Sequence, residues 1–359
     1  MRTKIAFIIP TLSLGGAEKQ QINILNGINT LQYRVKLYVL KDQTQLLNQI
    51  KNSDIEVEIC KINSFKNFKN FYLFIKSIKR YNPDIIHSQM YNANILTRLI
   101  KCILPNSKII NHFHGMSQWM SKLKLLLDKS TLFLVDRFIV VSQKSYDLRL
   151  EREKYPAEKM DILYNSVNLH SKITMDLFSL DNKTITIGMA SRLIPLKNIK
   201  AAIYMLFQLR QKNLDVELLI AGDGSEMEDL QFYAQELAVE TKVTFLGFVE
   251  NMKKFYDDID IYCISSLTED LPLSVIEAMM SGKPIISSNV GGIPDILKSV
   301  DYTLLVNDFY DKSEIEKIYN MLRYCHGKEC ATYLHNIAMT SFDNKSYCKK
   351  LENIYKDFE

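Results

Sequence analysis

Short runs of β-branched and aromatic residues alternate with stretches of helical length along this chain, and the alternation halts once and restarts. The runs KIAFIIP (4–10), VKLYVL (35–40), DIIHSQ (84–89), KIINHFH (108–114) and RFIVVS (137–142) read as buried strands, separated by helical segments such as AEKQQINILNGIN and YNANILTRLIKCIL. After DILYNSVN (161–168), the segment LHSKITMDLFSLDNK is polar without a clear period and reads as a linker. The pattern resumes with TITIGMAS (184–191), VELLIAGD (216–223), KVTFLG (242–247), IYCISS (261–266), PIISS (284–288) and YTLLV (302–306). Strand–helix–strand alternation of this kind builds a parallel sheet with helices on both faces. Two doubly wound α/β domains in tandem follow, and 359 residues suffice for both. The expected divisions are 1–170, 171–340 and a C-terminal helix at 341–359, in which Tyr347, Leu351 and Tyr355 share one face.

Open parallel sheets bind ligands beyond the carboxyl ends of their strands, so chemistry is sought there. Four places stand out. In TLSLGGAEKQ the chain passes from a strand through Gly15 and Gly16 into a helix, where backbone N–H groups can approach an anion or a sugar; GG is also an ordinary tight turn. ASRLIPLKN offers Arg192 and Lys197 from one loop, a planar fork and a mobile point charge suited to a diphosphate. AGDGSEMEDL carries Gly222, and a turn with Ser225 as helix N-cap and Glu228 completing a capping box accounts for it. EDLPLSVIE sets Glu269 in a loop and Glu277 inside the helix that follows, with Leu273, Ile276 and Met280 as its apolar stripe. Ionised carboxylates accept hydrogen bonds in pairs, which suits the vicinal hydroxyls of a ribose or a hexose.

Charge and cysteine content exclude several classes. The net charge of +4 divides into +12 for residues 1–170 and −8 for 171–359. Lys61 to Asn82 is basic, aromatic and free of acidic residues. It reads either as a surface for anionic lipid or as a solvated helix that turns Phe68, Phe71, Phe74 and Ile75 inward. No nucleic-acid motif accompanies the charge, so nucleic acid is not expected as a partner. The six cysteines are scattered without a CxxC pair, which argues against a zinc site or a disulfide framework. No run approaches the ~18 apolar residues of a membrane span. The expectation is a cytoplasmic protein, or one lying peripherally on the inner face of the plasma membrane.

SLTEDLPLSVIEAMMSGKPIISSNVGGIPDIL resembles the signature of the retaining GT-B glycosyltransferases of family 4, a Glu-x7-Glu motif followed by EAM-x-x-G-x-P and a GG-I-P segment. TLSLGGAEKQ, the R-x4-K loop, AGDGS, GFVEN (247–251) and YNSVN (164–168) fall where that family has counterparts. The resemblance implies two Rossmann-like domains facing across a cleft, the first binding acceptor and the second nucleotide-sugar, with the C-terminal helix returning to the first. It implies that Glu277 holds the ribose hydroxyls, Glu269 the donor-sugar hydroxyls, and Arg192 and Lys197 the departing diphosphate. Gly15, Gly16, Gly222, Val249 of GFVEN, Leu271 and Leu273 complete the donor contacts implied. His114 matches a histidine that approaches the reacting sugar, and His112 shares its side of the strand, so the choice between them stays open.

The implied reaction moves a sugar, with retention, from a UDP-hexose or UDP-N-acetylhexosamine to a saccharide acceptor on a lipid diphosphate, in cell-surface polysaccharide synthesis. No cofactor is expected. Asp258-Ile259-Asp260 is a DxD, read as structural, so metal independence is expected. Asp270 replaces the family's usual glycine and is expected to turn to solvent. A sugar epimerase, a sugar-nucleotide sensor and a phosphorylase of the same fold are the alternatives.

Overall fold

The computed structural model describes residues 2–64, 67–115, 121–168, 184–324 and 328–358, and among these the chain divides into two compact units. Unit 1 comprises Met1–Val167 with Asn344–Glu359, and unit 2 comprises Asn168–Asp343. The stretch 169–183, read as a linker, lies outside the described residues, as does Cys325.

Unit 1 runs β1 (Thr3–Ile9), α1 (Gly16–Gly27), β2 (Tyr33–Val39), β3 (Glu56–Ile59), α2 (Phe68–Tyr81), β4 (Ile85–Gln89), α3 (Tyr91–Ile100), β5 (Lys108–Phe113), α4 (Lys122–Ser130), β6 (Arg137–Val140), α5 (Gln143–Leu148) and β7 (Met160–Ile162). The strands form one parallel sheet in the order β3-β2-β1-β4-β5-β6-β7. Ile5 to Ile9 of the central β1 are wholly buried, as expected of a strand covered on both faces. β3 is a strand the sequence pattern does not announce: EVEI is short, charged and at the edge, where one side needs no partner.

Unit 2 runs β8 (Ile185–Ala190), α6 (Ile199–Gln211), β9 (Val216–Ala221), α7 (Met227–Glu236), β10 (Val243–Gly247), α8 (Met252–Asp258), β11 (Ile261–Ile264), α9 (Leu273–Met280), β12 (Ile285–Ser288), α10 (Ile293–Leu297), β13 (Thr303–Val306), α11 (Lys312–Tyr324) and α12 (Lys328–Phe342). Its parallel sheet has the order β10-β9-β8-β11-β12-β13. The strand order therefore reverses between β1 and β4 in unit 1 and between β8 and β11 in unit 2.

α13 (Asn344–Lys356) belongs to unit 1 although it follows unit 2 in the chain. Tyr347, Leu351 and Tyr355 are buried in the core that α1 shares with one face of the sheet. Its first residue is latched by side chains: Ser166 Oγ donates to Asn344 Oδ1 at 2.8 Å, and Asn344 Nδ2 donates to the Asn23 carbonyl at 2.8 Å. Ser166 also exchanges hydrogen bonds with Gln20 of α1, so YNSVN ties the end of β7 to two helices.

Two local expectations are corrected. In α2 the inward stripe is Phe74, Ile78 and Tyr81, spaced i, i+4, i+7, while Phe68 is 76% exposed and Phe71 is exposed too. At about 100° per residue Phe68 falls off that stripe, and Phe71 only edges onto Phe74, its ring centroid 6.5 Å away. At α7 the N-cap is Glu226, not Ser225, and no side chain caps it. Its first donors go elsewhere: Glu226 N–H to the Leu193 carbonyl at 3.0 Å, and Met227 N–H to the Gly224 carbonyl at 3.3 Å.

Candidate active site

In unit 2 the loops beyond the carboxyl ends of the strands are laced together by backbone. Leu193 N–H donates to the Asp223 carbonyl and Gly222 N–H to the Gly247 carbonyl, at 3.0 and 2.7 Å. Gly222 has φ +141°, and a Cβ there would stand 1.8 Å from the Ser191 carbonyl oxygen. Only glycine lets the two backbones approach so closely. The bridge to Gly247 sets GFVEN, with Val249 half-buried, beside the AGDG turn.

The loop after β11 is held in the same way. Gly292 N–H donates to the Asp270 carbonyl at 2.8 Å, and Gly291, at φ +59°, leaves no room for a side chain against the Glu269 carbonyl, 1.6 Å from an ideal Cβ. The GG of the GGIP segment thus sets the height of the Glu269 loop. Asp270 is buried, contrary to the expectation that it faces water. It lies just before α9, whose N-terminal dipole favours a carboxylate.

Lys197 follows β8 and Glu269 follows β11, so the two flank the switch point of the sheet, and Lys197 Nζ donates to Glu269 Oε1. Ser266 Oγ donates to the same oxygen at 2.7 Å. The carbonyls of Lys197 and Asn198 accept from Ser265 Oγ, which fixes the lysine loop to the end of β11. Arg192 is exposed on the same loop. Glu277 is 9% exposed, and Glu277 Oε2 accepts from the buried Tyr256 hydroxyl at 2.9 Å. Burial, with the Glu277 charge beside it, raises the Tyr256 pKa well above the usual phenol value, so the hydroxyl stays a donor. Leu271 and Leu273, which fall between these carboxylates in the sequence, are buried. Asp260 accepts from Thr186 N–H at 2.9 Å, so one carboxylate of the DxD fastens β8 to β11.

In unit 1, Gly15 and Gly16 open α1 as expected, but a residue the sequence reading passed over fills the first turn. Glu18 is buried and accepts from Thr11 Oγ1 and Ser13 Oγ, both at 2.8 Å. A carboxylate thus already meets the positive end of this helix. His114 follows β5, with its ring 4.1 Å from that of His112 and the His112 ring 5.4 Å from that of His87.

All three imidazoles are held neutral by burial. His87 is pulled down to about 3, chiefly by desolvation with His114 adding to it, His114 to about 4, and His112 well below its ordinary value. The unfolded chain, with histidines near 6.5, takes up protons first as the pH falls. The stability these groups confer is complete above about pH 6.5 and drains away toward pH 4. Melting midpoints are expected to fall between pH 7 and about 5, with a shallower slope in His112→Gln; equal slopes would refute this assignment.

Residues 14–171 match the family model described as Glycosyltransferase Family 4, and residues 175–323 match that described as Glycosyl transferases group 1. The chain belongs to the family 4 glycosyltransferases. It is 26% identical over 312 residues, 84% of each chain, to the Campylobacter jejuni α-1,4-N-acetyl-D-galactosaminyltransferase named for a GalNAc-GalNAc-diNAcBac-PP-undecaprenol substrate. It is 22% identical over 323 residues, 83% of this chain and 82% of the other, to an Escherichia coli UDP-Gal:α-D-GlcNAc-diphosphoundecaprenol α-1,3-galactosyltransferase. HepE of Anabaena, solved in complex with UDP, shares the fold at a TM-score of 0.81 and 17% identity, covering 99% of this chain and 100% of that one. The glycosyltransferase thus has the two Rossmann-like units of the GT-B class. Sequence spacing located Glu269 and Glu277. It could not reveal that a tyrosine 21 positions from Glu277 would bond it, because that pairing depends on α8 lying beside α9.

Proposed function

We propose that this glycosyltransferase moves a sugar from a UDP-linked hexose or N-acetylhexosamine to a saccharide carried on a lipid diphosphate, with retention at the anomeric carbon, in cell-surface polysaccharide synthesis. The observation that carries the proposal is the Lys197–Glu269 pair at the switch point of unit 2, with Glu277 held by Tyr256 in the helix that follows. Relatives named for undecaprenyl-diphosphate substrates, and HepE complexes with UDP and with UDP-glucose, favour this donor and acceptor class.

In this proposal Glu277 accepts from the ribose hydroxyls and Glu269 from a donor-sugar hydroxyl. The loops of Gly222 and Val249 and the side chains of Leu271 and Leu273 border the nucleotide. Arg192 and Lys197 stabilise the charge that develops on the diphosphate as the glycosidic bond breaks. The acceptor hydroxyl attacks from the face the diphosphate is leaving, with a phosphate oxygen taking its proton and no protein nucleophile. Unit 1 contributes Gly15, Gly16 and His114 toward the acceptor and the reacting sugar. Neither metal nor cofactor takes part.

The test is nucleotide release from a panel of UDP-, GDP- and ADP-sugars with chelator present, comparing the native chain with Glu277→Ala. Slow release from one donor, absent in the variant, would support the reading and name the sugar. Donor binding with no release, even with lipid-linked acceptors supplied, would favour a sensor instead. Activity lost in chelator and restored by Mg²⁺ would overturn metal independence.

The proposed acceptor belongs with a membrane, and one layer of unit 1 suits it. Leu123, Leu126 and Leu127 of α4, Leu99 of α3, and Phe68 and Tyr72 of α2 are all exposed. α2 and α3 pack on the same sheet face, α4 is tied to α3 through Arg98 and Asp128, and the one acidic residue of the three helices, Asp128, is buried. A cavity of about 610 Å³ beside α2 adds five cations against Glu56 and Glu58. Exposed apolar side chains set among lysines match an anionic lipid surface. No helix among the described residues is long and apolar enough to cross a membrane. Flotation with anionic vesicles is expected to carry the protein up, with binding lost in high salt and weakened in Leu123→Ser/Leu126→Ser. An entirely unbound protein would sink the idea.

A further inference from the structure

A line of buried polar side chains runs from the C-terminal helix to the end of β5. The Tyr355 hydroxyl lies 2.6 Å from His87 Nδ1, and His87 Nε2 lies 3.3 Å from His112 Nδ1. Tyr355, His87 and His112 are each fully buried. His112 Nε2, the far end of the line, has no hydrogen-bond partner among the described residues.

A neutral imidazole carries one N–H and one bare nitrogen, so the line can be polarised in only two ways. In one, the Tyr355 hydroxyl donates to His87 Nδ1, His87 Nε2–H donates to His112 Nδ1, and His112 presents an Nε2–H. In the other, the protons point back toward α13, His112 presents a bare Nε2, and the Tyr355 proton has no acceptor. No second hydrogen bond of that hydroxyl is present among the described residues. The first arrangement leaves one group without a partner and the second leaves two, and a buried hydroxyl without an acceptor is costly.

We infer that Tyr355 and His87 are positioning residues that fix His112 as an Nε2–H tautomer, a neutral hydrogen-bond donor for a saccharide hydroxyl oxygen. Only the identity of that ligand rests on the transferase reading; the polarity of the line stands on unit 1 alone. His112 so arranged gives a hydrogen bond and takes no proton, so it is not the base of the reaction. α13 thereby acquires a task besides packing: a helix that follows unit 2 in the chain sets the character of a group on β5.

Two-bond proton–nitrogen correlation spectra of the full chain labelled with ¹⁵N-histidine distinguish the tautomers directly and need no substrate, so they decide the matter even where no donor is turned over. With signals assigned by His87→Gln and His112→Gln, both residues are expected as Nε2–H at pH 7 and still neutral at about pH 5. Tyr355→Phe keeps the ring that packs against Tyr33 and removes only the hydroxyl. Both histidines are then expected as tautomer mixtures. Turnover is expected to fall roughly three- to tenfold, the scale of one hydrogen bond, with the KM for donor unchanged, while the buried His87 Nδ1 left without its partner lowers the melting midpoint by several degrees. His112 found as Nδ1–H in the native chain, or tautomers unmoved in Tyr355→Phe, would overturn the inference. Should the variant fail to fold, the native spectrum alone decides it.

Discussion

Lys197→Met is expected to lower turnover by roughly 10²–10³-fold, the scale seen when one preorganised donor to a developing oxyanion is removed. The KM for donor should move far less. The reason lies in when the charge appears: in the proposed reaction the leaving diphosphate would gain negative charge as the glycosidic bond stretches, so the ammonium would act more strongly on the transition state than on bound donor. The lysine is already held by Glu269, on a loop tied to the end of β11 through Ser265, and needs little reorganisation. In the variant Glu269 keeps its bond from Ser266, so unit 2 should stay folded. Steady-state kinetics beside a melting curve would separate the two effects. Turnover within about threefold of the native chain would remove Lys197 from the reaction.

Asp128→Ala is expected to be the most damaging single change to stability. Arg98 is wholly buried in α3, and its guanidinium donates to the Asp128 carboxylate at 2.9 Å, to Thr131 Oγ1 at 3.0 Å and to Asn111 Oδ1 at 2.6 Å. Removing the carboxylate leaves an uncompensated cation in the core and takes an acceptor from Tyr155, which also donates to Asp128. Breaking a buried pair in this way costs about 3–5 kcal/mol. For a unit of this size that corresponds to a fall of roughly 10 °C in the melting midpoint. Replacing both partners, as Arg98→Met with Asp128→Leu, should recover much of the loss, since the penalty comes from a lone charge and not from a missing attraction. A midpoint within about 2 °C of native for the single variant would show that water or a shifted side chain relieves the cation.

Much of the fold was legible because it rests on short-range periodicity. A parallel strand covered on both faces must be apolar throughout, so IAFII and ITIGM declared themselves, and so did α13 through Tyr347, Leu351 and Tyr355. β3 escaped because an edge strand need be neither long nor apolar. Phe68 was misjudged because aromatic content says nothing of helix rotation; only Phe74, Ile78 and Tyr81 lie on the inward stripe. Asp270 looked solvent-bound because its burial comes from the turn across which Gly292 grips its carbonyl.

Local pattern by itself determined the two doubly wound units, the glycines that permit close backbone approach, and the spacing of Glu269 and Glu277, since each follows from backbone geometry over a few residues. Tertiary structure alone decided the partners. Lys197 meets Glu269 across 72 positions, and His87 meets Tyr355 across 268. Such pairs depend on which strands flank a switch point and which helix returns to which sheet. Polar side chains carry no periodic signal of their partner, and burial makes the partner they find decisive.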